Sequence, residues 1–118
     1  IPGPWKDCPD GTSCRYLENG QVITAVRRPE EGYSTGLLDP DDIILSLNDP
    51  GNTSARNTIR GTVVRMNLEN EEGNVLVTVN AGGTVFTSRV TTGSLSKLGI
   101  VPGSPVIIVF KANSIRWV

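Results

Sequence analysis

Apolar and polar positions alternate with a period of two through most of the second half of the chain. Val75, Val77 and Val79 stand against Asn74, Leu76 and Thr78, and Phe86, Ser88 and Val90 against Val85, Thr87 and Arg89. Each of these segments therefore presents one more apolar face, the pattern of a half-buried strand. The alternation predicts strands over 58–68, 74–80, 85–91, 105–110 and 114–117, with Ala81-Gly82-Gly83 as a tight turn. Upstream, 13–18 and 21–26 read as a hairpin joined at Asn19-Gly20, and 33–38 and 42–47 as two shorter strands. Only 92–98 has helical character, with Ser94 near its start and Gly99 placed to stop it. Five strands in about sixty residues predict a small β-barrel that this short helix plugs or caps.

Composition agrees with an all-β fold. Val, Ile and Thr together dominate, while Gly 13 and Pro 8 interrupt any long helix. A chain of 118 residues is about one domain and long enough to bury a core. Hydrophobic residues at 37% exclude a disordered tail, and no apolar run approaches the roughly 18 residues of a membrane span. The absence of His removes Ser/His/Asp and Cys/His nucleophiles, His-ligated zinc, and His as acid or base. Cys8 and Cys14 lie in a polar opening segment and make neither a zinc set nor a disulfide framework; two free thiols are expected, a local disulfide being the alternative. The chain opens on Ile1 with no leader pattern and reads as a piece of something longer. The turn cluster Asp49-Pro50-Gly51-Asn52 divides an N-terminal lobe, 1–50, from the barrel, 51–118.

Charge sharpens that division. Residues 1–50 carry nine acids and four bases (net −5), and residues 51–118 three acids and seven bases (net +4). The three acids of the second half are clustered at Glu69, Glu71 and Glu72, so the rest of that half holds Arg56, Arg60, Arg65, Arg89, Lys97, Lys111 and Arg116 with no acid among them. Such a field favours an anion. The competing reading is a set of solvated surface charges, some paired with acids of the first half.

Four short segments place polar groups beside these bases: 53–57, 91–94, 111–114 and the 99–103 turn. Each alone suits a side-chain turn or a helix cap. Together they offer hydroxyls, backbone N–H groups and one or two cations. A tetrahedral oxyanion needs such donors, because its oxygens accept hydrogen bonds and donate none.

The runs Thr53-Ser54-Ala55-Arg56-Asn57, Gly61-Thr62-Val63, Val90-Thr91 with Ser94, Lys97-Leu98-Gly99-Ile100 with Pro102-Gly103, and Phe110-Lys111-Ala112 with Ser114 resemble the molybdate/tungstate-binding Mop domain. That resemblance spans about 53–118 and implies a TOBE fold, an OB-like barrel. Leu38-Asp39-Pro40-Asp41-Asp42-Ile43-Ile44-Leu45-Ser46 looks like the RPEDI segment that precedes such barrels in ABC importer ATP-binding subunits, with Asp39 in place of the Arg. The fold expected is thus all-β, a TOBE barrel with an additional short-stranded N-terminal lobe.

Carried over position by position, the resemblance implies an oxyanion site of Ser54 with the backbone around Ala55 and Arg56, the hydroxyls of Thr91 and Ser94, and the Lys111-Ala112 pair. It implies a homodimer, with segments of two chains facing one ion. It also implies molybdate or tungstate as ligand, no cofactor, no directly ligated metal, and in the parent protein a nucleotide-binding domain and a membrane permease on the cytoplasmic side. The chain has no Gly-x-x-x-x-Gly-Lys-Ser/Thr loop and is not expected to be an enzyme by itself. The leading reading is a sensor that inhibits further import. Alternatives are a free-standing molybdate store, the sensor half of a molybdate-dependent transcription regulator, or a TOBE domain that only holds subunits together. A nucleic-acid module fits poorly: the sequence pI is about 5.3 and the six aromatic residues form no stacking platform.

Overall fold

The longest strands form where the β-branched alternation is strongest. The structure, a computed structural model, describes residues 1–69 and 72–118. Its strands are β1 (Lys6–Asp7), β2 (Thr12–Tyr16), β3 (Val22–Val26), β4 (Gly36–Leu37), β5 (Ile44–Ser46), β6 (Asn57–Leu68), β7 (Asn74–Ala81), β8 (Thr84–Thr91), β9 (Pro105–Phe110) and β10 (Arg116–Trp117), with one helix, α1 (Thr92–Leu98). They form an antiparallel five-stranded sheet in the order β5-β9-β6-β7-β8, a three-stranded sheet β1-β2-β3, and the small pair β10-β4. Among the described residues no helix is long and apolar enough to cross a membrane.

On β7 the inward residues Val75, Val77, Val79 and Ala81 are all buried. They meet Ile59 and Val63 of β6, Phe86 of β8 and Ile108 and Phe110 of β9 in one apolar cluster. Each such side chain contributes roughly 1.5–3 kcal/mol on leaving water. The cluster runs on without a break into Trp5, Leu17, Ile23 and Ala25 of the N-terminal lobe.

Two local features curl the large sheet. The β6–β7 register slips between Val63 and Arg65, a bulge that bends β6 and leaves Val64 half exposed. At Gly61 a Cβ would lie 2.6 Å from Val79 Cγ1 and 2.8 Å from the Asn80 carbonyl, so only glycine lets the two strands cross this closely. Gly82 and Gly83, with φ of 56° and 83°, make the two-residue turn between β7 and β8. Helix α1 then begins at its cap Thr91, whose hydroxyl oxygen accepts from the Ser94 N–H at 3.2 Å. It stops at Gly99 in the left-handed region, and its buried Leu95 covers that end of the sheet as expected.

Two strand expectations change. The segment expected as a strand over 114–117 forms a 3-10 turn at Ala112–Ser114, and Arg116–Trp117 pairs with Leu37 and Gly36 outside the barrel. The fifth place in the sheet belongs to β5, from upstream of the Pro50 turn, whose Ile44, Leu45 and Ser46 pair with Val109, Ile108 and Ile107. The strand expected over 33–38 shrinks to Gly36–Leu37, and Asp39 instead caps a 3-10 turn at Pro40–Asp42.

Side-chain amides join the N-terminal lobe to the barrel. The fully buried Asn57 accepts from the Thr24 N–H at 2.7 Å and donates to the Thr24 carbonyl at 2.8 Å. Gln21 does the same in the other direction, donating to the Arg60 carbonyl at 2.8 Å and accepting from its N–H at 2.7 Å. Trp117 adds a hydrogen bond from its indole N–H to the Val26 carbonyl at 3.0 Å, and packs edge-on against Trp5 with ring centroids 4.7 Å apart.

Candidate oxyanion site

The β6–β9 register, with Asn57 opposite Phe110, sets the segment just before β6 beside the segment just after β9. Ser54, Arg56, Lys111 and Ala112 accordingly line one cavity of about 360 Å³. Ala55 faces a neighbouring cavity of about 390 Å³, which shares Ser54 and Lys111 and adds Thr53, Ser114, Asp41 and Asp42. Ala112 opens the 3-10 turn, so its N–H has no acceptor within that turn. The Ala55 N–H, in contrast, donates to the Thr53 hydroxyl at 3.2 Å. Lys111 is exposed and makes no ion pair among the described residues. Buried Asn57 fixes the backbone immediately after Arg56.

Thr91 and Ser94 are placed elsewhere. Thr91 pairs with Asn74, next to the Val75–Leu68 pair that ends β6, whereas Ser54, Arg56 and Lys111 stand at its beginning. The twelve residues of β6 thus separate the expected site into two groups within one chain. Thr91 and Ser94 are both exposed, their hydroxyls 2.9 Å apart. They act locally as the cap of α1, while their outer surface stays open.

The basic surplus is partly neutralised, as the competing reading of the charges anticipated. Arg89 forks onto Glu69 at 2.8 and 3.0 Å and reaches Asp41 at 2.8 Å and Asp39 at 4.0 Å, clamping the Pro40 turn against β8. The hydrogen bond to Glu69, followed by that to Asp41, pushes the Arg89 pKa further up, and the guanidinium holds Glu69 below the ordinary glutamate range. Arg89 is therefore a structural clamp, its charge met by the carboxylates of Glu69, Asp41 and Asp39. Arg56 meets Asp10 at 3.3 Å. Hydrogen bonding from Thr12, then from Arg56, holds the Asp10 carboxyl below the usual aspartate range.

Sequence reasoning missed one wall of the first cavity. Gly11, Thr12 and Val26 of the N-terminal lobe line it together with the barrel residues. Nothing in the sequence signals that contact, because Asp10 and Arg56 are 46 positions apart. Cys8 and Cys14 are free thiols; hydrogen bonding with the Cys14 thiol, followed by burial, pushes Cys8 above its ordinary value. Among the described residues no cluster of three His, Cys, Asp or Glu side chains is suited to a metal ion.

A curled antiparallel sheet covered at one end by a short helix, with Ser54 and Lys111 at cavities on its rim, defines an OB-like small β-barrel. The TOBE domain model matches residues 53–116. The chain belongs to the TOBE domain family.

The similarity to known proteins extends over more of the chain than the TOBE match. The molybdate/tungstate import ATP-binding protein WtpC of Pyrococcus abyssi is 42% identical over 100 residues, covering 83% of this chain and 27% of that protein. The molybdenum import ATP-binding protein ModC of Rhizobium meliloti is 37% identical over 76 residues, 64% of this chain and 21% of that protein. This chain thus spans about a quarter of the length of these curated relatives. Among solved structures, the cytoplasmic molybdate-binding protein ModG with molybdate bound superposes with a TM-score of 0.73 at 26% identity, over 90% of this chain and 82% of that one.

Proposed function

We propose that this chain is the molybdate- or tungstate-binding regulatory domain of an import ATP-binding subunit. The observation that carries the reading is the convergence of Ser54, Arg56, Lys111 and Ala112 on one cavity. A tetrahedral dianion sheds water on entry, a loss offset only if nearly every oxygen finds a donor. Hydroxyls, backbone N–H groups and the unpaired Lys111 supply charge-assisted hydrogen bonds worth roughly 1.5–3 kcal/mol each.

A second copy of the chain completes the site. In this arrangement Ser54, Ala55, Arg56, Lys111 and Ala112 of one protomer face Thr91 and Ser94 of its partner. Two features favour it: Ser54, Arg56 and Lys111 of the one group and Thr91 and Ser94 of the other are exposed, and an apolar groove of about 340 Å³ lined by Met66, Val75, Leu95, Ile100 and Val101 adjoins Thr92. Exposed Leu68 and Val101 extend that apolar surface. Residues 51–118 supply most of the anion-binding barrel, β5 from residues 1–50 adds its edge strand, and the rest of 1–50 is the lobe that leads into it. In the parent protein the domain works on the cytoplasmic side, attached to a nucleotide-binding domain that serves a permease. Anion binding inhibits import if the ion prefers the arrangement of paired domains that holds the ATPase halves apart, since only differential affinity shifts a population.

The likeness to ModG, which extends over most of that chain, favours a free-standing anion store as the second reading. The identity to WtpC, which reaches upstream of the barrel, favours the importer. Isothermal titration with molybdate, tungstate, sulfate and phosphate, with mass by light scattering, tests the site. Heat from the first two alone, saturating near one ion per chain in a dimer, is expected. A dimer that binds neither anion would reduce the domain to a subunit-holding role.

A further inference from the structure

The cavity holding Ser54, Arg56, Lys111 and Ala112 has a wall that the barrel does not supply: Gly11 and Thr12, at the tip of the β1–β2 hairpin. Asp10 stands beside them, and its carboxylate is fixed at both oxygens. Oδ1 accepts from the Thr12 N–H at 3.2 Å and from the Thr12 hydroxyl, while Oδ2 accepts from Arg56 Nη2 at 3.3 Å. Thr12 is itself buried, so the carboxylate is aimed at Arg56 from a rigid anchor. Both members of the ion pair are more than half exposed, and such a pair contributes little to folding. Its place beside an anion cavity gives it a different weight, because a carboxylate and a tetrahedral oxyanion compete for the same guanidinium donors.

We propose that Asp10 is the resident competitor of the oxyanion for Arg56, an affinity-setting residue contributed by the N-terminal lobe. The proposal rests on the anion-binding reading given above and adds to it the Arg56 guanidinium, Arg56 being one of the residues that line the cavity. An arriving dianion takes Arg56 from Asp10, which is left with Thr12 alone. Binding is therefore weaker than the donor set by itself would give, and the domain fills at a higher anion concentration. Occupancy also unlinks the hairpin tip from the barrel, which makes the N-terminal lobe sensitive to the ligand.

The test is isothermal titration of the 118-residue chain with sodium molybdate and sodium tungstate, comparing Asp10→Asn with the native chain, alone and combined with Arg56→Gln. Asn keeps the oxygen that accepts from Thr12, and an unchanged thermal midpoint verifies that the turn is intact. Asp10→Asn is expected to bind both anions about 2- to 5-fold more tightly, the scale of a half-exposed ion pair. The gain is expected to fall below about twofold when residue 56 is Gln. A purely structural Asp10 would leave affinity unchanged or lower it. Equal or weaker binding by Asp10→Asn overturns the proposal, as does a gain that persists undiminished beside Arg56→Gln. A native chain that takes up neither anion refutes the anion-binding reading and this proposal with it, an outcome distinct from a native chain that binds and an Asp10→Asn chain that matches it.

Discussion

Replacing Asn57 by Ala removes the amide that ties the N-terminal lobe to the start of β6. The side chain is fully buried and makes hydrogen bonds of 2.7 and 2.8 Å to the N–H and carbonyl of Thr24. Ala leaves both backbone groups of Thr24 without that partner, at about 1–3 kcal/mol for each buried polar group. Water entering the space regains part of this, so a net loss of about 2–4 kcal/mol is expected. An unfolding entropy of about 2.1 cal/mol/K per residue gives roughly 0.25 kcal/mol/K for the chain, so the midpoint should fall by about 8–16 °C. Thermal unfolding followed by circular dichroism, without anion, reads this directly. Asn52→Ala, in the exposed Pro50 turn, is the control and should shift the midpoint by no more than about 2 °C. A shift below about 3 °C for Asn57→Ala would refute the idea that the amide bridge holds lobe and barrel together.

Lys111→Ala should weaken molybdate and tungstate binding about 10- to 100-fold in calorimetry, the effect of deleting one charge-assisted donor; affinity within twofold of the native chain would remove Lys111 from the site. Stability in acid should depend on Glu69, whose carboxyl is held low by the Arg89 hydrogen bond. With the native pKa below the unfolded one, the unfolded chain takes up the proton first, so this stabilisation is present above about pH 4.3 and is lost as pH falls through the lowered native value. Glu69→Gln should therefore flatten the acid limb of urea-derived stability against pH, and an unchanged slope would refute the assignment.

The long strands were legible because alternation and burial coincide: Val75, Val77 and Val79 point inward as their spacing requires. The turn at Gly82-Gly83 and the stop at Gly99 were legible because positive φ selects glycine. Strand β1 was not, since Lys6 and Asp7 carry no apolar face and are strand only through their pairing with Cys14 and Ser13. The partner of β9 was also hidden, because three residues, Ile44–Ser46, offer too short a pattern to say which edge they join. At the site, residue types and a family resemblance named Ser54, Arg56 and Lys111, and the β6–β9 register brings them together. The contributions of Asn57, Gln21 and Asp10 depend on contacts spanning 33 to 46 positions, which local pattern does not encode.

Each chain carries its lysine group at one end of β6 and its hydroxyl group at the other. In the two-fold pair proposed above every site would be a hybrid, and every chain would belong to two sites at once. Damage then segregates by end rather than by chain. A protomer lacking Lys111 and a protomer lacking Ser94, each impaired at both sites when paired with itself, would together form one site with both losses and one with none, so that two defective copies restore half of the full binding capacity.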